Sequence, residues 1–168
     1  MADNSGTLYD FMFDSKYELS DQLWFIDALS GETRTRANVK NRTDSLALGL
    51  QACLSQELNS DTVSSNIKDE LPYTVGPVVS LISTNNVDYG ACVWASHKLG
   101  YTVAPSNAGS TVDELTHQLR ISGAMAVIVH PKALVKVLEA ACVVGISAER
   151  IFVLAQGRAE NLDEQIKG

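Results

Sequence analysis

Apolar residues follow two different rhythms along this chain. Residues 77–154 carry four short apolar runs, and between them lie longer segments where apolar residues return every three or four positions. The runs are Pro77-Val78-Val79-Ser80-Leu81-Ile82, Tyr101 to Pro105, Ala126-Val127-Ile128-Val129 and Ile151-Phe152-Val153-Leu154. Short, continuously apolar runs suit strands covered on both faces. Between the first two, Asn85 and Asn86 offer a cap for a helix from about Val87 to Leu99, closed by Gly100. Next, Thr111-x-x-Glu114 spells a capping box ahead of a helix with Val112, Leu115 and Leu119 inward and Gly123 just past its end. A third helix, Lys132 to Val144, would face inward through Leu134, Val137, Leu138 and Ala141 and stop at Gly145. Strands alternating with helices in this way predict right-handed crossovers and an α/β fold, a mainly parallel sheet with flanking helices.

The first part of the chain is less regular. Residues 1–20 read as a polar arm whose alternating rings, Tyr9, Phe11, Phe13 and Tyr17, pin it to a body. Leu23-Trp24-Phe25-Ile26, a turn at Ser30-Gly31-Glu32 and a return from Thr33 to Arg36 predict a small antiparallel hairpin. Thr35 is placed to cap a long helix, along which Val39, Thr43, Leu46, Leu50, Cys53 or Leu54, and Leu58 draw one apolar stripe. A polar linker from about Asn59 to Asp69 separates this helix from the regular part. The expected organisation is an arm at 1–20, an α/β body at 21–155 and a polar tail at 156–168.

With 168 residues, 45% hydrophobic and 20% charged, the chain has the profile of one globular domain, not of a disordered or disulfide-stapled one. Thirteen basic against 20 acidic side chains, net −7, argue against a partner bound through its phosphate backbone. The acidity sits mainly in residues 1–31, where Asp3, Asp10, Asp14, Glu18, Asp21 and Asp27 face one base, Lys16. Arg34, Arg36, Lys40 and Arg42 form a local basic group, which reads as the wet side of the hairpin and its following helix rather than as an anion site. Cys53, Cys92 and Cys142 are odd in number and far apart, which fits reduced thiols and neither a disulfide framework nor a zinc site. Met1-Ala2-Asp3 opens no signal pattern, and no apolar stretch approaches the ~20 residues of a spanning helix, so a cytoplasmic protein without membrane insertion is expected.

The search for chemistry returns little. Neither H-E-x-x-H nor G-x-S-x-G nor an EF-hand loop occurs. His97 follows Cys92 by five positions, a spacing that does not share a helix face, so it reads as a helix-end histidine. His117 lies among polar positions and reads as solvated. His130 ends a core strand before Pro131, where open α/β sheets place ligand-binding residues, yet most such strand ends are structural. Asp113 and Glu114 suit the positive end of a helix better than acid–base work, and Trp24 and Trp94 suit core or arm packing better than a base-stacking platform. The 11 glycines never lie closer than the nine positions between Gly100 and Gly109, which leaves no Gly-rich phosphate loop. No catalytic, cofactor-binding or metal residue is assigned.

Several segments, in order, nevertheless resemble one family. Val78-Val79-Ser80-Leu81-Ile82-Ser83-Thr84-Asn85-Asn86-Val87-Asp88-Tyr89, then Ala95-Ser96-His97-Lys98-Leu99-Gly100-Tyr101-Thr102-Val103-Ala104-Pro105-Ser106-Asn107, then Thr111-Val112-Asp113-Glu114-Leu115 and Ser122-Gly123-Ala124 are similar to the N-terminal part of adenylate-forming enzymes. That family holds acyl-CoA synthetases, coumarate–CoA ligase-like proteins, luciferases and peptide-synthetase adenylation domains. Phe25-Ile26-Asp27, the Gly31 turn, Thr35-Arg36, Leu46 and Gly49-Leu50 extend the likeness upstream, so that it covers about residues 20–155. Arg34 and Arg36 depart from an apolar and an aromatic residue common in the family, and Ser106 and Gly109 alter the turn around Asn107. The resemblance implies a parent that activates a carboxylic acid with Mg-ATP as an acyl-adenylate and usually passes it to coenzyme A. Its phosphate loop, acyl pocket, ribose-binding aspartate and catalytic lysine would all lie downstream of the matched part. The expectation is therefore an N-terminal segment inactive alone. The alternative is a non-catalytic module that self-associates or pairs with a full-length relative. A flavodoxin-like small-ligand binder, with its site at the loops after Ile82, Pro105 or His130, is a third reading.

Overall fold

Residues 7–13, 21–28, 30–54 and 76–154 are described by a computed structural model of the chain. Tyr17, Leu58, the polar linker from Asn59 to Asp69 and the tail at 156–168 lie outside the described residues. In chain order the elements are α1 (Leu8–Phe13), β1 (Leu23–Ile26), β2 (Thr33–Thr35), α2 (Arg36–Leu54), β3 (Val78–Ile82), α3 (Tyr89–Lys98), β4 (Thr102–Ser106), α4 (Val112–Ser122), β5 (Ala126–Val129), α5 (Leu134–Val144) and β6 (Ile151–Val153). Strands β1 and β2 pair antiparallel, with a register shift between Leu23 and Phe25. The other four form one parallel sheet in the order β4-β3-β5-β6. Pro105, which has no N–H to give to a ladder, lies in β4 at the sheet edge, where a missing donor is tolerated.

The two-residue period of a strand sends alternate side chains into two cores. On one side Val79, Leu81, Ala126 and Ile128 pack with Ala47, Leu50 and Leu54 of α2 and Cys92 and Ala95 of α3. On the other Ile82, Val127 and Val129 pack with Leu115 and Leu119 of α4 and Leu134, Val137 and Ala140 of α5. The predicted α/β fold, with its parallel sheet and separate hairpin, is the observed one.

Helix ends are set by local chemistry. At α4 the capping box is complete: the Glu114 N–H donates to Thr111 Oγ1 at 3.3 Å, and the Thr111 N–H donates to Glu114 Oε2 at 2.8 Å. Gly123 closes this helix at φ 61, a left-handed conformation that costs glycine nothing. At α2 the Asn38 N–H donates to Thr35 Oγ1 at 3.2 Å, and the Thr35 N–H reaches Asn38 Oδ1 at 3.3 Å.

Several expectations shift. The arm rings do not alternate along extended backbone: α1 is helical, so Tyr9 and Phe13, four apart, share the buried face while Phe11 turns outward at 75% exposure. Along α2 the stripe runs through Leu54 and not Cys53, and Ala47 is more buried than Leu46. Asp88, not Asn85 or Asn86, holds the N-cap position of α3, while Asn86 Oδ1 accepts the Asp88 N–H at 2.9 Å. Pro131–Ala133 forms a separate 3-10 turn, so α5 begins at Leu134. Leu138 is 39% exposed, because Val137, Ala140 and Ala141 make the close face and one further residue rotates the helix about 100° away from it.

Candidate functional site

In this sheet β3 leads through α3 to β4 on one side, whereas β5 leads through α5 to β6 on the other. A reversal of this kind opens a crevice beyond the carboxyl ends of the two central strands, where open α/β sheets bind ligands. Ser83, Asn86 and His130 stand there. Ser83 Oγ donates to Thr84 O at 2.7 Å, and Asn86 Nδ2 donates to Ser83 Oγ at 2.8 Å and Thr84 O at 3.0 Å. The His130 N–H continues the ladder to Ile82 O at 2.9 Å, and its Nδ1 accepts the Lys132 N–H at 3.3 Å. Burial, with the nearby Lys132 charge, holds the imidazole below its ordinary pKa. His130 is thus a neutral, buried cap for the 3-10 turn, in agreement with a structural strand end. Ser83 and Asn86 thus bond to each other and to nearby backbone, and His130 Nδ1 to the backbone of the 3-10 turn.

The basic group after the hairpin is not a solvated face. Asp88 is buried, and its carboxylate, instead of capping α3, pairs with Arg42 and lies 3.5 Å from Arg34 Nε. Arg34 also pairs with Glu32 at 2.6 Å, and its side chain is only 16% exposed. Arg36 donates to Met12 O at 2.8 Å and lies over the Trp24 ring. Lys40 and Lys98 reach Asp44 at 2.6 and 2.7 Å, and Tyr9 donates its phenol to the same carboxylate. Although partial burial opposes ionisation, hydrogen bonds from Lys40, Lys98 and Tyr9 lower the Asp44 pKa to about 2. The four basic side chains therefore bind the hairpin, α1 and α3 to α2; each finds its partner within the chain.

Around them the aromatic residues form one cluster. Trp24 and Trp94 stack at 5.3 Å, and Phe13 meets both edge-on. This is the packing role expected of the tryptophans. His97 lies in the last turn of α3 and His117 is exposed on α4. Cys92 is fully buried, and burial together with the Asp88 charge pushes its thiol up to about 12, so it is neither nucleophile nor ready ligand. Among the described residues no group of three or more His, Cys, Asp or Glu could hold a metal ion.

Among the described residues a groove of about 410 Å³ lies between α2 and the β5–β6 end of the sheet. Asn41, Arg42, Ser45, Leu46, Gly49 and Leu50 form its α2 wall, and Ile128 and Phe152 its floor. Its surface is mainly apolar, with Asn41, Arg42 and Ser45 as the polar members of the wall. Sequence reading missed both the Asp88 cluster and this groove. The one available signal was Gly49, a glycine inside an otherwise apolar helical pattern.

No family model matches the chain. It is 32% identical over 156 residues to an acyl-CoA ligase of Alternaria alternata, a match covering 89% of this chain and 25% of that protein. It is 25% identical over 130 residues to a 4-coumarate–CoA ligase of Oryza sativa subsp. japonica, covering 77% of this chain and 21% of that one. Among solved structures, a benzoate CoA ligase from Burkholderia xenovorans superposes with a TM-score of 0.68 at 16% identity, over 96% of this chain and 28% of that one. A luciferase-like enzyme from the mealworm Zophobas morio gives a TM-score of 0.68 at 22% identity, over 96% and 35%. The chain spans about a quarter of the length of the curated relatives it matches. Over the segment it spans, the chain belongs with the acyl-CoA ligases of the adenylate-forming family.

Proposed function

We propose that the chain is the N-terminal α/β segment of an ATP-dependent carboxylate-activating ligase, one that forms an acyl-adenylate and then a thioester with CoA, and that it is inactive alone. The carrying observation is the 156-residue match to an acyl-CoA ligase of which it makes up 25%. Beyond β3 and β5, Ser83 and Asn86 bond to each other and to Thr84 O, His130 Nδ1 accepts the Lys132 N–H, and the glycines are too widely spaced to cradle a triphosphate, which supports a reading in which these residues do not hold a magnesium nucleotide. Carboxylic acid, Mg-ATP and CoA are therefore assigned to polypeptide of the ligase that this chain does not span, in a cytoplasmic enzyme. What the chain contributes is a rigid layer against which those parts are held. Carboxylate-dependent exchange of pyrophosphate into ATP tests this. The 168-residue chain should give none, and a hybrid in which it replaces the matching quarter of the Alternaria ligase should give it. Exchange by the chain alone would overturn the inactivity, and a folded hybrid without exchange would overturn the ligase role.

A second reading, a non-catalytic module that self-associates, has one observation in its favour. Val135, Leu138 and Val143 are exposed on the outer side of α5. Sedimentation at rising concentration separates the two: this reading requires a dimer, and a monomer throughout rejects it.

A further inference from the structure

We infer that the turn joining β5 to α5 is an acid-sensitive latch: the neutral His130 imidazole holds it closed at the mouth of the crevice between β3 and β5, and protonation at Nδ1 releases it. The inference stands apart from the ligase reading, because the contact is made within residues 130–133.

Among the described residues there are two 3-10 turns, and they are capped differently. At Ala148–Arg150 the cap is Ser147, whose Oγ accepts the Glu149 N–H at 3.4 Å. At Pro131–Ala133 the same position belongs to His130, with φ −70 and ψ 139, and Nδ1 accepts the Lys132 N–H at 3.3 Å. A serine hydroxyl, an ordinary cap, keeps its lone pairs across the physiological pH range. An imidazole nitrogen accepts only while it is unprotonated, and in the imidazolium both ring nitrogens are donors. Protonation at Nδ1 therefore sets two N–H groups against each other across the length of a hydrogen bond.

The surroundings favour the neutral ring. His130 is 5% exposed, so an imidazolium there has little water to hydrate it. The segments after β3 and β4, residues 83–86 and 107–110, carry no charged side chain. Lys132, in the turn itself, is a like charge. On α5 Lys136 donates to Ala108 O and Ser110 O at 3.0 and 2.6 Å. On α4 Glu114 is bound to Thr111, and Asp113 lies exposed in the first turn. Asp88, ahead of α3, faces Arg34 and Arg42. The cap is thus complete above the ordinary histidine pKa of 6.5 and is lost as the pH falls below it.

The latch acts on a small part of the fold. The Ala133 N–H bonds to His130 O at 2.9 Å, and Leu134 opens α5 directly after the turn. Release loosens this entry to α5, whereas the ladder bond from the His130 N–H to Ile82 O is backbone to backbone and indifferent to the ring.

Amide hydrogen exchange in the 168-residue chain, followed by nuclear magnetic resonance with the imidazole nitrogen shifts from the same sample, tests this. Corrected for the intrinsic pH dependence of exchange, protection of the Lys132 amide relative to the Glu149 amide should fall at least ~10-fold from about pH 7.5 to about pH 5. Its midpoint should coincide with the titration of the His130 ring, and the Lys132 amide proton shift should move with it. His130→Asn keeps an acceptor at the same distance from the backbone without the titration, and should hold the protection throughout. His130→Ala should lack it at every pH. Unchanged protection while the His130 ring titrates overturns the latch, and so does a ring that stays neutral down to about pH 5. An Asn variant that loses protection in parallel with the parent also overturns it, since the acid effect then lies elsewhere.

Discussion

The two sides of the sheet are built by different means. The α4–α5 side is assembled from neighbours in sequence: each helix follows one strand and precedes the next, and its ends are set within a few residues, by Thr111 with Glu114, Gly123 and Gly145. The α2–α3 side is stitched across the chain. Tyr9 bonds to Asp44, Arg42 to Asp88 and Lys98 to Asp44, over separations of 35, 46 and 54 residues. Local capping makes an element, while long-range charge and ring contacts choose which elements meet. The first side should therefore lose stability in small, separable steps, and the second through shared partners.

The largest effects should be alike on both sides. Leu115→Ala and Leu50→Ala each empty a site that is at most 2% exposed, and each should cost about 3 kcal/mol in urea unfolding. A difference above about 2 kcal/mol would mean that one layer relaxes around its cavity and the other does not. Next comes Asp88→Ala, which leaves Arg34 and Arg42 without their shared carboxylate and should cost about 2 kcal/mol, with a change in tryptophan fluorescence as the hairpin loosens. A cost under about 0.5 kcal/mol would make the cluster an ordinary surface network and erase the contrast.

On the other side Thr111→Ala removes one cap and should cost about 1 kcal/mol, visible by circular dichroism and without effect on the stacked tryptophans. A fluorescence change equal to that of Asp88→Ala would show that the two sides are not separable. The smallest effect belongs to Asp44. Its folded-state pKa lies near 2, below the ordinary 3.8, so its stabilisation is complete above about pH 4 and disappears as the pH falls from about 4 to about 2. Because the carboxylate is partly exposed, the amount should stay below about 1 kcal/mol. Asp44→Asn should flatten this stretch of the stability–pH curve, and an unchanged curve would remove the carboxylate from the contacts that hold α1.

How much could be read from residue order follows the same division. The capping box, the Gly123 and Gly145 terminators and the β3 and β5 runs are legible, because each depends on chemistry within one turn or on strand period. Leu138 was misplaced because a stripe of three- and four-residue spacings is wide enough to include a flank position, and only contact with α4 and the sheet decides which edge is covered. Arg34 and Arg42 looked solvated because the carboxylate they share stands far off in sequence: nothing near Arg42 announces Asp88. The groove was invisible for the same reason, since its wall and floor come from residues about 80 to 110 positions apart.

The sequence by itself determined the elements, their alternation and the family likeness, because hydrophobic period, caps and terminators act over a few residues and each run must bury its own apolar face. Only the tertiary structure decided that Asp88 pairs with two arginines from the hairpin and α2, that α1 presents Tyr9 and Phe13 to a tryptophan pair, and that α2 and β6 line one groove. Those outcomes depend on the relative placement of separate elements, which is fixed when two cores close around one sheet and is written in no single stretch of the chain.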